Sequence, residues 1–154
     1  LRRLQNPALT LIILGHGKLQ GELKAKARAL GIERQVIFPG YRTDVFRFYG
    51  IADLFLFPSL QEGLPVAVME AMAAGLPVVA SAVRGNRDLI LPGDGGELLS
   101  PHRATDWEKV VSVLLEDCKK REAYGLYNRQ RIGAFSREAN ETKMREIYAR
   151  YDEA

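Results

Sequence analysis

Short apolar runs alternate along this chain with longer amphipathic segments, a pattern typical of α/β proteins with a parallel sheet. The runs predict strands at 9–14, 36–38, 54–57 and 77–81, with a short last strand at 95–99. The first run is almost continuously apolar, as expected of a strand covered on both faces. We therefore predict a Rossmann-like α/β fold, in which helices cover both faces of a parallel sheet.

Helical spacing of apolar residues fills the intervals between the strands and everything after Thr105. Gly31 and Gly75 follow two helical segments, where glycine commonly ends a helix. The last helix carries apolar residues that suit packing on one side: Phe135, Met144, Ile147, Tyr148 and Tyr151. No linker or repeat interrupts the pattern, so we expect one domain over residues 1–154. The predicted helices span 18–30, 44–49, 66–74, 86–90, 106–116, 119–132 and 136–151.

Composition excludes several classes of protein. An apolar fraction of 47% with 27% charged residues fits a folded chain of 154 residues. No apolar run approaches the ~20 residues of a membrane span. One cysteine suits a reducing, cytoplasmic compartment. With one cysteine and two distant histidines, a metal site is improbable. The net charge of +3 comes from dispersed basic residues, so no nucleic-acid partner is expected.

The helix from Val66 to Ala74 is apolar on every face except at Glu70. Such a helix is expected inside a protein, where a carboxylate requires a partner. Glu70 then either accepts hydrogen bonds from ligand hydroxyls, or it reaches solvent at a gap or pairs with an arginine.

Glu62 precedes the same helix. With Ser59 it matches a capping box, but Pro65 suits the first helical position and leaves Glu62 in the loop after a strand. In an open parallel sheet that loop lies at the carboxyl edge, where ligands bind, and the next helix directs its free N–H groups there. The residues thus favour a site for a sugar and a phosphate.

Residues 62–81 resemble the E-x7-E region of retaining GT-B glycosyltransferases of family 4, also described as glycosyl transferases group 1. Shorter segments agree: a strand and glycine turn at 14–17, V-x-F-x-G from 36, and A-D-x-x-x-x-P-S at 52–59. Residues 84–88 resemble members that assemble capsule or exopolysaccharide. The resemblance implies the C-terminal, donor-binding half of such an enzyme, with a nucleotide diphosphate sugar as donor.

The resemblance also implies roles for individual residues. Glu70 is expected to bind the ribose hydroxyls, and Glu62 the hydroxyls of the donor sugar as a catalytic residue that is not a covalent nucleophile. Family members retain the anomeric configuration by front-face attack, in which the leaving diphosphate assists deprotonation of the acceptor. Further contacts to donor sugar and phosphate are expected at Gly15, Gly17, Gly63, Leu64 and Val66, and contacts to the base at Tyr41 and Arg42.

No G-R-x-x-x-x-K-G precedes Leu1, so we expect the chain to lack its first strand, the basic pair for the diphosphate and the N-terminal acceptor domain. Alone it is expected to bind donor weakly and to transfer sugar poorly. The whole enzyme is expected in the cytoplasm, at the inner face of the membrane, acting on a glycan or lipid-linked acceptor without a metal cofactor. Two alternatives stay open: a nucleotide-sugar epimerase of the same architecture, and a non-catalytic sugar-nucleotide-binding module.

Overall fold

The apolar runs bounded by glycine and proline form parallel strands in the computed structural model, which describes residues 1–152 and the side chains of residues 1–149. Every predicted strand and helix is present, with ends within two residues of the prediction. The strands are β1 (Leu11–Leu14), β2 (Val36–Gly40), β3 (Phe55–Phe57), β4 (Val78–Ser81) and β5 (Gly96–Leu99). The helices are α1 (Gln20–Ala29), α2 (Val45–Tyr49), α3 (Val66–Ala73), α4 (Arg84–Leu89), α5 (Ala104–Glu116), α6 (Cys118–Ile132) and α7 (Arg137–Asp152).

The chain divides into two compact units, Leu1–Arg47 and Phe48–Ala154. In the first unit β1 and β2 pair in parallel, with Leu11 opposite Val36. In the second unit the strand order is β3-β4-β5, again parallel. The sequence predicts one sheet, whereas the strands form two ladders. An alternating strand–helix pattern predicts parallel strands but does not specify which strands pair.

Strand β4 forms the centre of the second unit, and each of its residues is buried. Val78 and Ala80 pack with residues of α3 and α4, while Val79 between them packs with Leu114 of α5 and Tyr124 of α6. Successive side chains of a strand point to opposite faces, so this alternation places helices on both faces of the ladder. The prediction of an α/β fold with helices on both faces is confirmed.

Glycines end two helices as predicted. Gly31 has φ +66° and Gly75 has φ +79°, in the left-handed region that favours glycine. After α3 the N–H of Gly75 donates to the Met72 carbonyl and that of Leu76 to the Ala71 carbonyl. This Schellman arrangement satisfies carbonyl groups that the helix leaves without partners.

Polar side chains of α6 donate hydrogen bonds to backbone carbonyls of other elements in the second unit. Asn128 is fully buried, and its Nδ2 donates to the carbonyls of Leu76 and Gly95, each over 2.7 Å. Arginines of α6 donate to carbonyls at the ends of three other helices: Arg121 to Leu114 and Leu115, Arg129 to Ala74, and Arg131 to Asp88 and Leu89. These bonds supply partners to groups that a helix terminus leaves open.

The last helix leaves apolar surface exposed. Phe135, just before α7, packs against the core, whereas Met144, Ile147 and Tyr148 are each close to half exposed or more. The side chain of Tyr151, predicted for the same apolar face, lies outside the described residues. Within residues 1–152, no helix combines the length and apolar character that crossing a bilayer requires.

Candidate functional site

Helix α3 begins directly after a loop that carries most of the predicted sugar and phosphate contacts. Pro65 is its N-cap, with φ −75° and ψ 111°, and no side chain caps the helix by a hydrogen bond. Pro65 therefore lies one position earlier than the first-turn position that the sequence predicts. Leu64 and Val66 are 49% and 60% exposed, so this start of the helix is open to a ligand. An uncapped helix start offers N–H groups and partial positive charge to an anion.

Glu62 lies in this loop, as predicted, and is half-buried. The hydroxyl of Ser59 donates to its Oε1 over 2.6 Å. A capping box would instead join each side chain to a backbone N–H at a helix start, and α3 begins only at Val66. Ser59 and Glu62 do interact, therefore, but in a way that orients the carboxylate rather than caps a helix.

Glu70 reaches solvent, one of the alternatives that the sequence leaves open, because α3 is buried on one side only. Val68, Ala71 and Met72 are fully buried, whereas Val66 and Glu70 are exposed, one turn apart. The expectation that the whole helix lies inside the protein is wrong. The apolar residues on its outer face hide the helical periodicity that would have located the solvent side.

Tyr49 of α2 is the partner of Glu70. Its hydroxyl donates to Glu70 Oε2 over 3.0 Å, and its ring packs edge-to-face on Phe55 at a centroid distance of 5.8 Å. Burial, followed by the hydrogen bond to Glu70, raises the pKa of Tyr49 above its ordinary value. The protonated hydroxyl holds one carboxylate oxygen of Glu70. Sequence reasoning missed this pair, since nothing in the spacing of α2 and α3 marks it.

Helix α4 contacts the loop before α3 through Gly85, which is buried. A Cβ atom at this position would overlap the carbonyl oxygen of Gly63 and approach Pro65 Cδ at 3.1 Å. Asn86, also buried, donates from Nδ2 to the Ser81 carbonyl over 2.8 Å and so ties α4 to the end of β4. The sequence predicts a helix at 86–90 and a family resemblance at 84–88, but it does not indicate this close approach of Gly85 to Gly63.

The remaining predicted contacts lie in the first unit, where β1 and β2 end side by side. The N–H of Gly15 donates to the Gly40 carbonyl over 2.8 Å, and the ring of His16 lies against Gly40. Gly15 has φ +103° and Gly40 has φ +78°, so both turns depend on glycine. The structure thereby brings the turn at Gly15 and Gly17 beside the segment that continues to Tyr41.

Tyr41 and Arg42 line a shallow open depression together with Thr43 and Asp44. Tyr41 is 70% exposed. Arg42 donates to both carboxylate oxygens of Asp44, over 2.8 and 2.7 Å, and this hydrogen bonding lowers the pKa of Asp44 below its ordinary value. The guanidinium is therefore held by Asp44 on one side while Arg42 stays exposed, as is the ring of Tyr41.

Across the residues that the structure describes, no group of three or more histidine, cysteine, aspartate or glutamate side chains is placed to hold a metal ion.

Comparison with known proteins identifies the family. The family model described as "Glycosyl transferases group 1" matches residues 1–131, and the chain belongs to this family. The solved structures that it resembles include Anabaena Alr3699/HepE in complexes with UDP and with UDP-glucose, at TM-score 0.80 and 26% identity. That match covers 93% of this chain and 43% of the other, which agrees with the predicted GT-B architecture.

Curated relatives carry transferase names. A D-inositol 3-phosphate glycosyltransferase of Corynebacterium aurimucosum is 38% identical over 80% of this chain and 30% of its own length. The UDP-Gal:alpha-D-GlcNAc-diphosphoundecaprenol alpha-1,3-galactosyltransferase of Escherichia coli is 29% identical over 75% of this chain and 32% of its own length. The chain thus matches about a third of the length of each relative.

Proposed function

We propose that this chain is the donor-binding part of a retaining glycosyltransferase that uses a nucleotide diphosphate sugar. The observation that carries the proposal is the arrangement of two carboxylates around the open start of α3. Glu62 is held by Ser59 on the loop before the helix, and Glu70 is held by Tyr49 on its exposed face. In both pairs a hydroxyl donates to one carboxylate oxygen, which leaves acceptor capacity for ligand hydroxyls.

Each part of the donor has a chemically matched partner in this proposal. The start of α3, with no side-chain cap, suits a phosphate group. Glu70, one turn further along the exposed face, suits the vicinal hydroxyls of a ribose, and Glu62 suits the hydroxyls of the transferred sugar. For the first unit taken by itself, the family resemblance implies phosphate contacts at Gly15 and Gly17 and base contacts at Tyr41 and Arg42.

The proposed chemistry is transfer with retention of anomeric configuration. The glycosidic bond to the diphosphate breaks as the acceptor hydroxyl attacks from the same face, and the departing phosphate oxygen receives the hydroxyl proton. Negative charge develops on that oxygen, so fixed donors at the start of α3 stabilise the transition state more than the ground state. Glu62 orients the sugar and stabilises its developing positive charge without forming a covalent bond.

We assign the whole enzyme to the assembly of capsule, exopolysaccharide or another lipid-linked glycan, in the cytoplasm at the inner face of the membrane. The resemblance of residues 84–88 supports this assignment, as does the diphosphoundecaprenol-linked acceptor in the name of the Escherichia coli relative. The acceptor is expected to bind mainly to parts of the enzyme outside residues 1–154.

An NMR titration of the chain with UDP tests the proposed site. We expect the largest amide shift changes at residues 62–66 and at Glu70. Inorganic phosphate is the control and should perturb the start of α3 without perturbing Glu70. If millimolar UDP leaves all of these amides unchanged, the chain does not bind the donor as proposed.

A further inference from the structure

Glycines of two other helices pack closely against the backbone just before and just after α3. A Cβ at Gly85 of α4 would overlap the carbonyl oxygen of Gly63, in the loop that precedes α3. A Cβ at Gly125 of α6 would overlap the carbonyl oxygen of Gly75, in the turn that follows it. The obstacle in both places is backbone, which cannot turn aside as a flexible side chain can.

Only the first of these contacts falls within the candidate site. Gly63 stands between Glu62 and Leu64, so its carbonyl is part of the loop that presents both residues. Pro65, the N-cap of α3, also lies against Gly85. The position of α4 therefore determines where this loop runs and where the N–H groups at the start of α3 point.

Helix α4 is held by hydrogen bonds at both ends. Asn86 is fully buried and donates to the Ser81 carbonyl, while Nε of Arg87 donates to the Ala82 carbonyl over 3.1 Å. At the other end Arg131 of α6 donates to the carbonyls of Asp88 and Leu89. Added volume at Gly85 is expected to displace the exposed loop rather than the helix.

We propose that Gly85 is a positioning residue for donor binding, which acts by holding the Gly63 carbonyl and with it the loop from Glu62 to Val66. This proposal rests on the proposed function, because the loop is assigned there to the sugar and phosphate of the donor. A methyl group at Gly85 separates the loop from α4, shifts the Glu62 carboxylate and moves the start of α3 away from the phosphate. Geometry at such a site has to be held to about 0.5 Å.

The test compares Gly85→Ala with Gly125→Ala. Both glycines lie inside helices, outside the positive-φ region, so alanine fits their backbone and acts through its methyl group. Both substitutions crowd a glycine carbonyl next to α3 and should lower the melting temperature. We expect UDP affinity, measured by calorimetry on the 154-residue chain, to fall about tenfold for Gly85→Ala and to stay within about twofold for Gly125→Ala. Equal affinity losses, or no loss for Gly85→Ala, would overturn the proposal.

Amide shifts of the ligand-free protein supply a second readout. Gly85→Ala should move the resonances of Gly63 and Leu64 strongly, whereas Gly125→Ala should move those of Gly75 and Leu76. If unsubstituted protein does not bind UDP, the proposed function fails, and the same shifts still decide whether Gly85 holds the loop. If Gly85→Ala does not fold, Asn86→Ala loosens α4 without adding volume, and it must perturb Gly63 and weaken UDP binding for the proposal to stand.

Discussion

The hydroxyl of Tyr49 donates a hydrogen bond to Oε2 of Glu70 over 3.0 Å, and this contact joins α2 to the exposed face of α3. An exposed carboxylate on a helix is ordinarily free to sample several rotamers. Here Oε2 of Glu70 is held by the hydroxyl of Tyr49, and the ring of Tyr49 packs against Phe55. The pair therefore presents the other carboxylate oxygen in a defined direction, which a ligand with two neighbouring hydroxyls can use.

Replacing Tyr49 with phenylalanine should weaken nucleotide binding more than it weakens the fold. The substitution keeps the aromatic packing and removes only the hydroxyl that orients Glu70. We expect UDP affinity to fall about threefold to tenfold, while the free energy of unfolding falls by no more than about 1 kcal/mol. Calorimetric titration and urea unfolding measure the two quantities on the same sample.

Tyr124→Phe is the matched control, since the Tyr124 hydroxyl donates to Glu97 Oε1 over 2.8 Å away from the candidate site. It removes the same group from the same kind of tyrosine–glutamate pair, with a similar expected loss of stability. UDP affinity should not change. If Tyr124→Phe weakens UDP binding as much as Tyr49→Phe does, the hydroxyl of Tyr49 acts through general stability and not through Glu70.

Both tyrosines also predict a loss of stability at alkaline pH. Burial, and then the hydrogen bond to a glutamate, raises the pKa of Tyr49 and of Tyr124 above the ordinary value of about 10. Below pH 10 the folded and unfolded states both keep the proton, so stability does not depend on it. Above pH 10 the unfolded state releases the proton first, so the free energy of unfolding falls as pH rises.

Urea unfolding between pH 8 and pH 11 checks this expectation. Above pH 10 the free energy of unfolding should decline less steeply in Tyr49→Phe and in Tyr124→Phe than in the unsubstituted chain. Each variant lacks one of the two tyrosine hydroxyls whose pKa is raised by folding. Lysines other than Lys120, whose ammonium lies 5.2 Å from the centre of the Tyr124 ring, contribute alike to all three proteins and cancel in the comparison. Identical slopes for all three proteins would contradict a raised pKa at either tyrosine.

Asn128→Ala should be among the more destabilising single substitutions in the second unit. The amide of Asn128 donates to the carbonyls of Leu76 and Gly95, and its loss leaves both acceptors buried without this partner. We expect the free energy of unfolding to fall by about 1–3 kcal/mol. Asn140→Ala is the control, because exposed Asn140 donates to the Phe135 carbonyl over a longer 3.3 Å. If Asn140→Ala lowers the free energy of unfolding as much as Asn128→Ala does, the two buried hydrogen bonds of Asn128 stabilise the protein no more than an exposed one does.

Much of the architecture follows from the sequence because local signals agree there. The buried β4 strand, the glycine stops at Gly31 and Gly75 and the loop position of Glu62 each rest on residues close together in the chain. The exposed face of α3 did not follow, since it carries Val66 and Ala73 instead of polar residues.

Contacts between residues that are distant in the sequence could not be predicted from local patterns. Tyr49 and Glu70 are separated by 21 positions, and no periodicity links them. The contact of Gly85 with Gly63 depends on how closely two backbones approach, which a glycine in a sequence suggests but does not specify. Both relationships arise from packing between elements, so only the folded chain reveals them.

The division of roles between the two glutamates is tested most directly by calorimetric titration of Glu62→Gln and Glu70→Gln with UDP and with UDP-glucose. Each variant keeps the size of the side chain and removes its charge. We predict that Glu70→Gln weakens both ligands by about tenfold or more, because both contain the ribose. Glu62→Gln should weaken UDP-glucose clearly more than UDP. If Glu70→Gln binds both ligands as the unsubstituted chain does, or if Glu62→Gln lowers the affinity for UDP as much as for UDP-glucose, the proposed site is wrong.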